Sequence, residues 1–161
     1  MRFFLDTEFI ESGPNKPIQL ISIGIISDNN QTYYAVSNEF DPASANQWVK
    51  DNVLPYLDKE PAQRKSCIQI GLDLINFLGN GPEIWGYYAD YDWVVFCQIF
   101  GTMMDLPRGY PMYCRDLKQL CDSLGNPKLP KQESKEHNAL SDAIWNKEIF
   151  NFLTQIQITH A

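Results

Sequence analysis

Two acidic residues near the start of the chain, Asp6 and Glu8, are separated by a single position. Side chains alternate between the faces of a β-strand, so both carboxylates would project to the same side, about 7 Å apart along the strand. Two acids side by side in an otherwise apolar strand repel each other and are costly to desolvate, and a divalent cation would offset both effects. The alternative is an edge strand that shows its polar face to water.

A second pair of acids, Asp90 and Asp92, follows an aromatic segment that ends a predicted strand and opens a predicted helix. Ligand sites in open sheets gather where strands end and helices begin, so either aspartate could supply a third carboxylate. Acids are also common as helix caps, and that alternative stays open at this stage.

The third feature is His137, followed five positions later by Asp142 at the start of the last predicted helix. Residues at this spacing do not share a helix face, so the histidine would have to lie on the preceding loop and reach back over the site. Histidine is the commonest general base near neutral pH, and a loop can bring it to a water molecule when substrate is bound. The alternative is a solvated histidine near a helix cap.

Taken in this order along nearly the whole chain, the three motifs resemble those of the DEDDh exonucleases, a 3′-to-5′ group within the ribonuclease H-like fold. A narrower set of segments looks like the small bacterial exoribonuclease AS group, which is described as polyadenylate-specific. These segments are residues 6–11, 21–24, 33–37, 39–42, 48–49, 53–55, 91–92 and 97–98.

The resemblance implies a role for each of the matching residues. It makes Asp6, Glu8, Asp92 and Asp142 metal ligands and His137 the general base. It selects Asp92 because the third acid of the family follows a tyrosine and precedes the helix. The extra acid at position 90 leaves a swap of roles between the two aspartates open.

The implied reaction is the release of nucleoside 5′-monophosphates from the 3′ end of single-stranded RNA. Phosphodiester cleavage of this kind uses two cations roughly 3.5 to 4 Å apart, one creating the nucleophile and one stabilising the departing oxygen. Carboxylate and water oxygens suit Mg²⁺ or Mn²⁺ better than zinc. The resemblance also implies a preference for adenylate ends and a homodimer in which the neighbouring subunit helps close the site.

Two alternatives remain open from the sequence. The first is the same chemistry on single-stranded DNA or on very short oligonucleotides, because no residue here reports a contact with a 2′-hydroxyl. The second is an RNA-binding module that has lost catalysis, which is disfavoured because all five chemical positions are filled.

Recognition of the substrate should depend on stacking and on a few cations. Phe9, Ile10 and Trp48 are candidates for packing against terminal bases, although Trp48 could instead be a core residue. A basic stretch before His137 could steer the phosphate backbone, the alternative being an ordinary solvated loop. This stretch comprises Arg108, Arg115, Lys128, Lys131 and Lys135.

The overall charge excludes one class of nucleic-acid-binding protein. With 13 basic and 20 acidic residues the formal net charge is −7, so bulk positive charge cannot hold a polyanion. Apolar runs are far shorter than the roughly 20 residues of a membrane span, and Asp6 interrupts any signal-peptide apolar region. We therefore expect a cytoplasmic protein with no membrane partner.

These side chains need a sheet with helices packed on it. A chain of 161 residues that is 44% hydrophobic suits one exonuclease domain spanning residues 1–161. Strands alternate with helices after an antiparallel start, which predicts an α/β, ribonuclease H-like fold with a mixed five-stranded sheet and helices on both faces. The predicted strands are residues 3–9, 19–27, 32–36, 83–87 and 111–114. The predicted helices lie within residues 41–55 and at 67–78, 91–100, 116–124 and 138–155.

Overall fold

The three opening strands pair in antiparallel order, as their alternating and β-branched runs predict. A computed structural model describes residues 1–57, 61–132 and 137–159. Within them, the sheet has six strands in the order β4-β3-β2-β1-β5-β6, with β5 and β6 parallel to β1. The strands are β1 (Arg2–Ile10), β2 (Gln19–Ser27), β3 (Thr32–Ser37), β4 (Arg64–Lys65), β5 (Glu83–Gly86) and β6 (Arg115–Asp116).

Five α-helices connect and follow these strands, and their ends agree with local sequence signals. The side chain of Ser66 caps α2 by accepting a hydrogen bond from the Gln69 amide, and Gly79, with φ of 63°, ends that helix. Asp116 caps α4 in the same way. The helices are α1 (Gln47–Asn52), α2 (Cys67–Leu78), α3 (Asp90–Phe100), α4 (Leu117–Ser123) and α5 (Ala139–Thr159).

Helices cover both faces of the sheet, which confirms the predicted α/β architecture. Leu5 of β1 packs among the apolar residues of α2 and α3, whereas its neighbour Phe4 packs against α4 and α5. Because side chains alternate along β1, Asp6 and Glu8 share the face of Phe4. The two acids therefore lie on the side of the sheet that α5 covers.

The strand count is the main departure from the predicted fold. The predicted sheet has five strands, but β4 adds a sixth by pairing in parallel with the end of β3. A strand of two residues is too short to show any hydrophobic period. The predicted strand at 111–114 is also wrong, because the chain joins β5 only at Arg115 and Asp116. Among the described helices, none combines the length and apolarity that crossing a bilayer requires.

Candidate active site

Three carboxylates from a strand and a helix meet at the N-terminal end of α5. Asp6 and Glu8 come from β1 and Asp142 from the first turn of α5, and each offers an oxygen atom within 4.8 Å of the others. Asp6, Asp142 and His137 line a cleft of about 250 Å³. The structure thus brings together four of the five residues for which the sequence predicts a chemical role.

The concentration of acids strongly disfavours their charged forms. Burial raises the pKa of Asp6 well above its usual range, and the nearby carboxylates of Asp92, Asp142 and Glu8 raise it further. Burial, followed by Asp142 and Asp92, raises the pKa of Glu8 to about 8. A bound cation would reverse this preference, since it stabilises the ionised carboxylates.

Asp142 has partners that partly compensate its burial. Burial raises the pKa of Asp142, while hydrogen bonding from Gln132 and the proximity of His137 lower it. Gln132 Nε2 lies 2.6 Å from Asp142 Oδ1 and donates to it. The side chain of Asn138 caps this end of α5 by accepting from the Ser141 amide at 3.1 Å.

Asp92 approaches the site from α3 and is held by Thr7, the residue between the two acids of β1. Asp92 Oδ1 accepts from the Thr7 amide at 2.8 Å and from the Thr7 hydroxyl at 2.5 Å. Burial raises the pKa of Asp92 to about 6, although the Thr7 hydrogen bonds lower it. Since Asp92 raises the pKa values of both Asp6 and Glu8, it belongs to the same electrostatic cluster.

The alternative acid, Asp90, occupies a different environment. It is exposed and lines a separate pocket of about 180 Å³ with Trp93, Met112 and Tyr113. The structure therefore places Asp92, and not Asp90, beside the β1 acids.

His137 lies in the loop before α5, next to Trp48 of α1. Its backbone has φ of 64°, in the left-handed region that non-glycine residues seldom adopt. The two rings meet edge to face, with their centroids 4.7 Å apart. Trp48 is 52% exposed, so it is not a core residue and its ring is accessible beside the cleft.

The other predicted substrate contacts are placed less favourably. Phe9 stacks on Tyr91 with the ring centroids 5.7 Å apart and the planes 10° from parallel. Ile10 is only 1% exposed and packs in an apolar cluster with Ile21 and Val36. The prediction that Ile10 packs against a base is therefore wrong, because its side chain is enclosed by the core.

Within the predicted basic stretch, the position of Arg115 is defined by its contacts. Arg115 lies on β6, two strands away from β1, where it pairs with Glu83 at 3.9 Å and its guanidinium lies near the rings of Trp85 and Tyr113. The structure therefore does not bring Arg115 to the acidic cluster. Arg108, Lys128 and Lys131 are exposed. Lys135 lies outside the described residues.

Several residues around the cleft are absent from the sequence-based predictions. Thr7 and Gln132 hydrogen bond to the acids, and Asn146 of α5 is buried beside them. Asn146 lies four residues after Asp142, and this helical spacing is a signal that could have identified it. Gln132 gives no such signal, since its position depends on the path of a loop.

The donor set of the site suits a hard divalent cation. The three clustered residues supply only carboxylate oxygens, which Mg²⁺ and Mn²⁺ prefer, whereas structural zinc sites are built mainly from cysteine and histidine. Burial first, and the neighbouring carboxylates second, raise the pKa values of Asp6 and Glu8, and a bound cation would favour their ionised forms.

Comparisons of the sequence with known proteins identify a family of exoribonucleases. The sequence profile of the 3′-5′ exoribonuclease Rv2179c-like domain matches residues 1–154. The chain is 42% identical over 159 residues to the 3′-5′ exoribonuclease Rv2179c of Mycobacterium tuberculosis H37Rv, covering 96% of this chain and 94% of that protein. The same identity and coverage hold for the 3′-5′ exoribonuclease MT2234.1 of strain CDC 1551.

Solved structures show the same fold at low sequence identity. A structure of E. coli exonuclease I in complex with a dT13 oligonucleotide superposes with a TM-score of 0.65 at 15% identity over 98% of this chain. The chain spans only 42% of that exonuclease I chain. A structure of the yeast NOT1 MIF4G domain co-crystallized with CAF1 also matches, with a TM-score of 0.53, 15% identity and coverage of 98% of this chain and 80% of the matched chain.

Proposed function

The chain belongs to the family of Rv2179c-like 3′-5′ exoribonuclease domains, and from this premise we propose that it is a metal-dependent 3′-to-5′ exoribonuclease of the DEDDh type. Its substrate would be single-stranded RNA and its product nucleoside 5′-monophosphates. The observation that carries the proposal is the meeting of Asp6, Glu8 and Asp142 within 4.8 Å in a cleft that His137 also lines. Two further statements stay predictions. The first is that the protein acts in the cytoplasm, and the second is that residues 1–161 form one domain.

We assign the four acids to the binding of two Mg²⁺ or Mn²⁺ ions. Asp6, Glu8 and Asp142 would supply oxygen ligands directly, and Asp92 would join them with Oδ2, because Thr7 occupies its Oδ1. Such ions, when bound, activate the attacking water and offset the charge that develops on the phosphate and on the departing 3′-oxygen. The support is the all-oxygen donor set and the raised pKa values of Asp6 and Glu8.

His137 supplies the proton transfer in this proposal. Its imidazole would take a proton from the attacking water as the new P–O bond forms, and the bond to the 3′-oxygen of the preceding nucleotide would break. The departing 3′-oxygen takes a proton from solvent water, so the shortened RNA leaves with a 3′-hydroxyl and the terminal nucleotide as a 5′-monophosphate. The edge of Trp48 contacts the imidazole and restricts where the ring can lie.

Base recognition would take place beside the histidine. Trp48 is exposed and can stack on a base, which contributes roughly 1 to 3 kcal/mol with little sequence preference. A neighbouring pocket of about 360 Å³ is lined by Asn138 and Ser141 together with Pro55 and Tyr56. Its amide and hydroxyl groups can hydrogen bond to a base edge, and the preference for adenylate ends that the resemblance implies stays a prediction.

Digestion of linear and circular RNA of the same sequence tests the proposed function. With Mg²⁺, the linear RNA carrying a 5′ label should shorten one nucleotide at a time and release 5′-monophosphates, whereas the circle should stay intact because it has no end to enter. EDTA should stop the reaction. A 3′-phosphate should block it, because the added charge lies where a free hydroxyl is expected beside the acids.

Three outcomes would distinguish a 3′-to-5′ exoribonuclease from the alternative functions. Rapid cleavage of the circle would indicate an endonuclease and contradict the exonuclease proposal. Faster digestion of a matched single-stranded DNA would assign the activity to DNA. Binding of RNA with no products would indicate a module without catalysis.

We further propose a homodimer that forms through α2, which packs on the face of the sheet opposite the acids, so that this dimer, unlike the one the resemblance implies, does not close the site with the neighbouring subunit. Ile68, Leu72 and Ile75 are 75%, 53% and 41% exposed, and their spacing places them in one stripe along the helix. An apolar stripe that faces water is typical of a surface that a second protein covers.

Replacing Leu72 with lysine is expected to make the protein monomeric. A charge in the centre of an apolar interface is left desolvated and unpaired when two copies meet. Sedimentation velocity of the wild type, Leu72→Lys and Asn151→Lys measures this, the last variant adding the same charge at an exposed polar position of α5, away from the α2 stripe. A wild type that sediments as a monomer, or a Leu72→Lys protein that stays dimeric, would contradict the proposal.

A further inference from the structure

The first turn of α5 lies directly on the backbone of β2, and Gly24 is what allows it. Gly24 is the residue of β2 that pairs with Asp6. A Cβ atom added at Gly24 would lie 2.2 Å from the Leu140 nitrogen and 2.3 Å from the carbonyl carbon and oxygen of Ala139. These are backbone atoms of a helix, which cannot rotate away as a side chain could. Any residue other than glycine would therefore push the start of α5 off the sheet.

A buried hydrogen bond fixes the same helix along β1. Asn146 is 1% exposed, and its Nδ2 donates to the carbonyl oxygen of Leu5 at 2.9 Å. The parallel pairing of β1 with β5 ends at Phe4. The carbonyl oxygen of Leu5, one residue further along β1, therefore takes its hydrogen bond from Asn146 instead of from β5. Since Leu5 immediately precedes Asp6, the bond ties α5 to the strand next to the acidic pair.

The two contacts lie on either side of Asp142. Gly24 meets residues 139 and 140, and Asn146 lies one helical turn beyond the aspartate. The contact at Gly24 sets how closely α5 approaches the sheet, and the hydrogen bond of Asn146 sets how far the helix slides along β1. Together they determine where the Asp142 carboxylate lies relative to Asp6 and Glu8.

We propose that Gly24 and Asn146 are positioning residues that set the separation between Asp142 and the β1 acids, and thereby the affinity of the site for divalent cations. The inference rests on the proposed role of these acids as metal ligands. It predicts that disturbing either contact changes metal binding, and not only the stability of the fold, because ligands displaced by about 1 Å no longer converge on one ion.

Two other positions provide matched controls. A Cβ at Gly71 of α2 would lie 3.4 Å from Cγ2 of Ile99, an ordinary van der Waals contact, so Gly71→Ala adds the same methyl group away from α5. Lys147, the neighbour of Asn146, also anchors α5. Its Nζ donates to the carbonyl oxygens of Ser27 and Asp28 at 2.8 Å and 2.7 Å, at the hairpin that follows β2. Lys147→Met removes an anchor of the helix at a distance from the acids.

The test compares Gly24→Ala and Asn146→Leu with Gly71→Ala and Lys147→Met in the full chain. Three quantities are measured: Mn²⁺ affinity without RNA, by electron paramagnetic resonance of the free ion; kcat and KM for a single-stranded RNA; and the Tm in EDTA. Gly24→Ala and Asn146→Leu should each weaken Mn²⁺ binding about 10- to 100-fold and lower kcat about 10²-fold, with KM little changed. The two controls should keep the wild-type Mn²⁺ affinity whatever their effect on Tm.

A purely structural role gives a different result. If Gly24→Ala and Asn146→Leu lower the Tm but bind Mn²⁺ as the controls do, the positioning role is wrong. If Gly24→Ala does not fold, Asn146→Ala decides the question, since it removes the hydrogen bond to Leu5 and sets no new atom against the backbone. Failure of the proposed function is distinguishable, because it would show in the wild type as Mn²⁺ binding without trimming, or as no Mn²⁺ binding at all.

Discussion

Replacing Glu8 with glutamine is expected to lower the rate of RNA trimming by about 10³-fold or more while making the metal-free protein more stable. The amide keeps the shape of the side chain but removes the charge that a divalent cation requires. The same charge is unfavourable in the metal-free protein, where burial and the carboxylates of Asp142 and Asp92 oppose it. Activity and stability should therefore change in opposite directions.

The stability part of this prediction depends on pH, and its sign follows from the raised pKa. Glu8 has an ordinary pKa of 4.5 in the unfolded chain and about 8 in the folded one. Between these values the folded protein binds a proton that the unfolded chain has released, so the free energy of unfolding falls as the pH rises from about 5 to 8. Glu8→Gln lacks this contribution, and its Tm advantage should grow over that range to about 10 °C, on the order of 4 kcal/mol at pH 8.

Thermal unfolding in EDTA and then in Mn²⁺ measures both effects. Mn²⁺ should raise the Tm of the wild type and reverse the order of the two proteins, because the ion binds only the folded state and needs the ionised acid. Asp90→Asn is the matched control, since Asp90 is exposed and lies in a separate pocket. If Asp90→Asn abolishes trimming while Asp92→Asn retains it, the structural assignment of the third acid is wrong.

The acidic pair of β1 is the part of the site that a sequence predicts best. Alternation along a strand requires Asp6 and Glu8 to share a face whatever the rest of the fold does. The structure places both residues on the side of the sheet covered by α5, where Asp142 completes the cluster. That second step needs the order of the strands and helices, because Asp6 and Asp142 are far apart in the chain.

The choice between Asp90 and Asp92 cannot be made from the local sequence alone. Both residues lie in the first turn of α3, and nothing in their immediate sequence separates them except the family resemblance. The distinction comes from a tertiary contact, since Thr7 of β1 donates two hydrogen bonds to Asp92 and none of the described contacts ties Asp90 to that strand. Such a contact depends on where α3 docks, which the sequence of α3 does not specify.

Two predictions that the structure contradicts, the role of Ile10 and the number of strands, fail for specific structural reasons. The pairing of β1 with β2 shifts between Glu8 and Phe9 because a bulge at Ile21 adds one residue to β2, whereas the alternation along β1 continues and keeps Ile10 on the face of Asp6 and Glu8. Beyond this bulge, Ile10 packs in the core, whereas a surface position was expected. The missed strand β4 has only two residues, and its pairing with Val36 and Ser37 is set by the fold and not by any hydrophobic period.

Replacing His137 with alanine is expected to lower the turnover of RNA trimming by roughly 10²- to 10⁴-fold, the usual contribution of a positioned general base, with Mn²⁺ affinity little changed. The expectation follows from the site, because His137 lines the cleft of Asp6 and Asp142, whereas the oxygen atoms that converge within 4.8 Å among the described residues belong to Asp6, Glu8 and Asp142. Single-turnover trimming and a Mn²⁺ titration without RNA measure the two effects separately. Added imidazole should restore part of the turnover in His137→Ala, because the small base can enter the space that the side chain leaves beside Trp48.

Trp48→Leu is the matched comparison, since it removes the ring that contacts the imidazole but keeps the base itself. Its turnover should fall less than that of His137→Ala, and added imidazole should not restore it. A collapse of Mn²⁺ affinity in His137→Ala would instead make the histidine a metal ligand and contradict its assignment as the base.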